Sequence, residues 1–230
     1  MSRLTKKMSF AAVLAIAITL ALPGAASAIP LTLTGPIAGN TVGPQSTSNP
    51  CVIAGTQCSQ PAGFGFNNFT SSGNISSYNM YSTTPTATVA DGVQGTPYTV
   101  AQINGVTGGT AFKIAIDVNT TQEAGETLQL FEVIINGAVV YNYIGPTNIG
   151  NIANNGNGFG DWTLGNIDLS GFAPTATVLF HAVWTGASDG AESFFIVPGT
   201  PTNVPEPNSL LLLGAGMSAL GILRFRNRSK

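Results

Sequence analysis

The sequence predicts an all-β fold, an antiparallel β-sandwich or jelly-roll, and three observations carry that reading. Short runs rich in Val, Ile, Thr, Phe and Tyr recur between clusters of Gly, Pro and Asn, the pattern of strands bounded by turns. Asn136-Gly137 stands between two such runs, and this dipeptide tolerates the positive φ angles of a two-residue hairpin turn. No stretch of the body shows amphipathic helical periodicity, and no repeat of fixed period points to a propeller or a β-helix. With 230 residues, 43% hydrophobic and only 8% charged, the chain can bury one sizeable core and lacks the composition of a charged disordered polymer.

Taken in order, the region from Gly35 to about Asp91 is dominated by Gly, Pro, Ser, Thr and Asn, with apolar islands at Phe64, Phe66 and Phe69. It predicts short edge strands joined by long loops. Residues 98–103 and 111–118 both read as strands, and in the second Phe112, Ile114 and Ile116 face one way while Lys113 and Asp117 face the other. Residues 127–135 and 138–144 form the hairpin around Asn136-Gly137. Three further strands are expected at residues 162–169, 176–184 and 193–197.

Charge separates the body from its two ends. Arg3, Lys6 and Lys7 precede it, Arg224, Arg226, Arg228 and Lys230 follow it, and Lys113 is the one base between. Up to residue 203 the body holds nine carboxylates against that single base, a formal charge of −8. Such a surface cannot displace counterions from phosphates, so nucleic acid is excluded as a partner.

The N-terminal residues 1–28 have the order of a signal peptide: a basic start, an apolar run over residues 10–22, a Pro23-Gly24 break and the small residues Ala26-Ser27-Ala28. The run is shorter than the roughly 20 residues a membrane span needs. Ala26 and Ala28 mark the expected cleavage site and Ile29 the mature start, which implies the Sec translocon and signal peptidase as partners. In an oxidising compartment Cys51 and Cys58, the only cysteines, are expected to form a local disulfide. They cannot complete a tetrahedral zinc site with the distant His181.

Residues 29–198 are therefore read as the ectodomain and residues 199–230 as a linker and tail. In that tail Val204, Pro205, Glu206 and Pro207 form a stiff extended tether, a Leu/Gly/Ala-rich helix is expected at about residues 209–225, and an Arg-rich stop follows. Basic residues stay cytoplasmic, which leaves the body outside. Tether, short apolar helix and basic end, in that order, resemble the PEP-CTERM sorting tail that exosortase recognises in Gram-negative bacteria. The resemblance covers about the last 27 residues and makes Pro205, Glu206 and Pro207 the recognition element. It implies a transient stay in the inner membrane, removal of the tail, and delivery to the outer surface or extracellular matrix, where such proteins usually accompany exopolysaccharide or biofilm production. The stretch from Thr127 to Val197 also resembles, in a general way, the β-sandwich ectodomains that carry such tails.

Catalytic chemistry is thinly signalled. His181, the only histidine, lies between Phe180 and Ala182 in an expected strand and reads as structural or solvent-facing. Scattered carboxylates do not single out a glycosidase pair, and no phosphate-binding or dinucleotide fingerprint occurs. Calcium is the one candidate cofactor, with oxygen ligands at Asn155, Asn157 and Asp161 in a Gly-rich loop and a second cluster at Asp189 and Glu192. Trp162, Trp184, Tyr141 and Tyr143 could offer flat faces to a sugar, but strand alternation places such residues in the core. The expectation is a non-enzymatic exported cell-surface or extracellular-matrix protein associated with exopolysaccharide. The alternatives are a secreted carbohydrate-active enzyme on the same tail and a membrane-anchored periplasmic domain.

Overall fold

A computed structural model describes residues 27–53, 61, 64, 73–79, 92–119, 126–150, 158–187 and 192–199, and among these described residues lie eleven strands and one helix. The strands are β1 (Ile29–Pro30), β2 (Thr32–Thr34), β3 (Cys51–Ile53), β4 (Gly73–Tyr78), β5 (Tyr98–Thr99), β6 (Ala111–Asp117), β7 (Glu126–Ile135), β8 (Ala138–Ile149), β9 (Trp162–Asp168), β10 (Thr177–Ala187) and β11 (Ser193–Pro198). The helix α1 spans Val100–Thr107.

One sheet runs β1-β8-β7-β10-β4, with β5 also on β10, and the other runs β2-β9-β6-β11-β3. Apart from the two-residue parallel pair β1–β8, every pairing is antiparallel. Eight of the strands pair in a nested way: β3 with β11, β4 with β10, β6 with β9 and β7 with β8. First with last, second with seventh, third with sixth and fourth with fifth is the wrapping of a jelly roll, which divides one folded ribbon between two facing sheets. The all-β sandwich expected from the sequence is therefore the fold observed.

Alternation along the strands fills the space between the sheets. Phe131 and Val133 on β7, Phe180, Ala182 and Trp184 on β10, and Phe112, Ile114 and Ile116 on β6 all point into one apolar cluster. Phe180 sits at its centre, with ring centroids of Tyr98, Phe112 and Phe131 each 6.2 Å away. Two polar contacts lock the layers at the edges. The Tyr141 hydroxyl on β8 crosses to the other sheet and donates to the Asp168 carbonyl at 2.7 Å. Leu31, between β1 and β2, donates its N–H to the Asn142 carbonyl at 2.6 Å, so the N-terminal segment pairs first with β8 and then with β9 along one margin of the sandwich.

The hairpin turn has φ 51° at Asn136 and 81° at Gly137, as the Asn-Gly dipeptide predicts. Residues 98–103, by contrast, do not form one strand. Only Tyr98 and Thr99 pair with β10, after which the chain turns into α1. Thr99 caps it: its side chain accepts the Gln102 N–H while the Gln102 side chain accepts the Thr99 N–H, and Gly108 ends the helix in the left-handed conformation at φ 68°. The β-branched residues that suggest a strand are instead buried on one side of the helix as Val100, Ile103 and Thr107.

Candidate functional site

Alternation that sends Phe180 and Ala182 inward turns His181 outward, and the same rule turns Glu132 out between Phe131 and Val133, and Ser76 out beside the buried Ile75. Strand β10 is paired with β4 on one side and β7 on the other. His181 stands opposite Glu132 on β7 and opposite Tyr78 on β4, with Ser76 opposite the neighbouring Val183. Three side chains 49 and 105 residues apart in sequence are thereby brought together. His181 Nδ1 lies 2.9 Å from Glu132 Oε2, and His181 Nε2 lies 3.0 Å from Ser76 Oγ. Tyr78 stacks flat on the imidazole, with centroids 4.0 Å apart and planes at 5°.

The chemistry of the carboxylate settles who donates in this chain. An ionised Glu132 can only accept, so the Nδ1–H of His181 donates to it. In the neutral ring Nε2 then carries the lone pair, and the Ser76 hydroxyl donates to Nε2. The row is ordered as hydroxyl, imidazole, carboxylate across three neighbouring strands. Sequence reading placed His181 in a strand but missed its partners, because pairing of β4 with β10 leaves no local trace. The one available signal was a lone histidine on the polar face of an otherwise apolar strand.

A second polar region lies on the other sheet. Residues following β2 fold back over its outer face, where Val42 packs with Cys51, Ala115 and Phe195. Asp117, at the end of β6, is buried there at 4% exposure. Its Oδ2 accepts from Gln45 Nε2 at 3.0 Å and from the Gly158 N–H at 2.8 Å, and Gln45 also bonds the Ser193 hydroxyl. Burial pushes the Asp117 carboxyl up from 3.8 to about 6, the Gly158 hydrogen bond pulls against that rise, and the nearby charge of Asp161 adds to it. Asp161 Oδ2 accepts the Val118 N–H at 2.9 Å, fixing the chain as it leaves β6. Glu126 and Glu192 are also buried, at the same end of the sandwich.

Of the expected calcium ligands, Asp161 and Glu192 are described and buried, whereas Asn155, Asn157 and Asp189 lie outside the described residues. Among the described residues, no three of His, Cys, Asp and Glu group as a metal site. Cys51 is disulfide-bonded; Cys58, the only other cysteine in the chain, lies outside the described residues. Of the expected cleavage residues, Ala26 lies outside them, while Ala28 immediately precedes β1. Tyr141 and Trp184 are core residues, whereas Tyr143 and Trp162 pack half-buried against the core. The sorting residues Val204 to Pro207 and the expected helix at about 209–225 lie outside the described residues. Among the described residues no helix is long and apolar enough to cross a membrane.

Fold and composition together define a two-sheet β-sandwich with few basic residues. Residues 203–229 match the family model of the PEP-CTERM protein-sorting motif, so the chain carries that motif as its C-terminal tail. Such a tail marks an exported, cell-surface protein sorted by exosortase. No curated protein and no solved structure matches the chain.

Proposed function

We propose that the protein acts at the cell surface or in the extracellular matrix as a display and association module for exopolysaccharide, and that it does not break the polymer backbone. The sorting motif at residues 203–229 carries this reading, because tails of this kind accompany export to the cell surface. The body's composition supports it. Lys113 is the only Lys or Arg between Lys7 and Arg224, and the sequence between them is rich in Asn, Thr, Ser and Gly, a composition that suits a hydrated protein with few sites for basic-residue proteases. An acidic body repels anionic polymers, so association with them requires bridging divalent cations. In this account calcium is the candidate bridging ion.

Purified protein incubated with exopolysaccharide from its own host tests the proposal. Co-sedimentation that is released by a chelator, with the polymer's chain length unchanged, is the expected result. Shortened polymer would establish the carbohydrate-active alternative, and no co-sedimentation in the presence of calcium would remove the association. One observation favours an enzymatic second reading, the ordered row of Ser76, His181 and Glu132.

A further inference from the structure

We infer that Ser76, His181 and Glu132 form an acyl-transfer relay on the outer face of the β1-β8-β7-β10-β4 sheet, with Ser76 as nucleophile toward a carboxylic ester. The inference holds whether or not the body associates with polysaccharide. Its basis is geometric: a hydroxyl 3.0 Å from an imidazole nitrogen whose other nitrogen is held 2.9 Å from a carboxylate is the arrangement that activates a serine. Two further features hold it in place. All three residues lie on paired strands rather than on loops, and the Tyr78 ring stacked at 4.0 Å fixes the plane of the imidazole.

The chemistry balances without any group beyond water. Ser76 Oγ attacks the ester carbonyl carbon and forms the new C–O bond, while its proton passes to His181 Nε2. The tetrahedral intermediate collapses, the bond to the alcohol oxygen breaks, and that oxygen takes the proton from Nε2. Water then attacks the acyl-Ser76 carbonyl, gives a proton to Nε2, and the released Ser76 oxygen takes it back. The net products are a carboxylic acid and an alcohol. Glu132 touches neither substrate nor nucleophile; it is a positioning residue that sets the tautomer of His181 and balances the imidazolium.

The developing oxyanion has one identifiable donor. The Ser76 carbonyl turns away from β10 and accepts the Gly92 N–H at 2.7 Å, so the N–H of Ser76 faces that same side. Loss of one oxyanion donor from a pair costs about 10²- to 10³-fold in rate. A site with a single donor is accordingly slow, and covalent capture reads it better than turnover.

The test is to treat the full-length protein with a fluorophosphonate probe and, separately, with p-nitrophenyl acetate, and to locate the adduct by fragment-ion mass spectrometry. One adduct on Ser76, lost when the protein is unfolded in urea beforehand, is expected. His181→Gln should slow the labelling at least about 100-fold, the usual contribution of a general base. Glu132→Gln should slow it as well, with Glu132→Asp restoring part of the rate, a rescue that a purely structural carboxylate would not give. An unlabelled Ser76 in the folded wild-type protein overturns the inference, and so does labelling of Ser76 at an unchanged rate in a folded His181→Gln variant.

Discussion

Gln45 and Asp117 are 72 residues apart in sequence and meet over the outer face of the second sheet, where Gln45 Nε2 donates to Asp117 Oδ2 at 3.0 Å. The contact buries a carboxyl group that the strand pattern alone would leave in water. The consequence is thermodynamic. Asp117 has its folded value raised from 3.8 to about 6 by burial, so the folded state holds this proton more tightly than the unfolded state. Its contribution to stability is therefore fully present below about pH 4, falls as the pH rises from about 4 to about 6, and stays lost above that. The full effect is of order 3 kcal/mol. Urea unfolding at pH 4 and pH 8 should show this loss in the wild-type protein, and Asp117→Asn should reduce the pH dependence by up to that amount. An unchanged pH dependence in the variant would remove Asp117 as its source.

The hairpin turn offers a second test. Asn136 holds φ 51° and Gly137 φ 81°, and Asn136 Oδ1 also accepts the Thr177 N–H at 3.0 Å, tying the turn to the start of β10. Gly137→Val would place a β-branched residue in the left-handed region at a cost of about 1–2 kcal/mol. Asn136→Ala should cost about the same through strain and the lost hydrogen bond. Thermal melting of the two variants measures both costs.

At Gly145 the constraint is the neighbouring strand itself. Register between β7 and β8 shifts here, with Leu128 opposite Thr147 and Leu130 opposite Ile144, and a Cβ on Gly145 would come within 2.2 Å of the Leu128 carbonyl oxygen. Backbone cannot yield as a side-chain tip can. Gly145→Ala should destabilise by at least about 2 kcal/mol, whereas Gly150→Ala, where a Cβ meets nothing within 4 Å, should be close to neutral. Equal melting temperatures for the two variants would contradict the bulged register.

Phe180 tests the core. Its ring touches aromatic neighbours from both sheets and from β5, so Phe180→Ala should cost about 3–5 kcal/mol, read as a lower denaturation midpoint.

Strands from β6 onward were legible because each is enriched in β-branched and aromatic residues and bounded by turn residues, and Asn136-Gly137 named its own turn. The helix α1 was not, since Val100, Ile103 and Val106 favour strands by propensity, and eight residues are too few for helical periodicity to outweigh them. The local signal for it was Thr99 with Gln102 three residues later and Gly108 at the end. The row of Ser76, His181 and Glu132 was illegible for a different reason. It depends on β10 lying between β4 and β7, a non-local pairing fixed by the closure of the whole sandwich. The burial of Asp117 likewise depends on where the segment after β2 is laid down, which composition does not reveal.

The central claim, delivery of the body to the surface by its C-terminal tail, is tested most directly by the intact mass and both termini of the native protein in inner-membrane, outer-membrane and medium fractions of its host. The account predicts a species that starts at Ile29 and ends near Val204 to Pro207, recovered outside the inner membrane. A species still ending at Lys230 and confined to the inner membrane would contradict it.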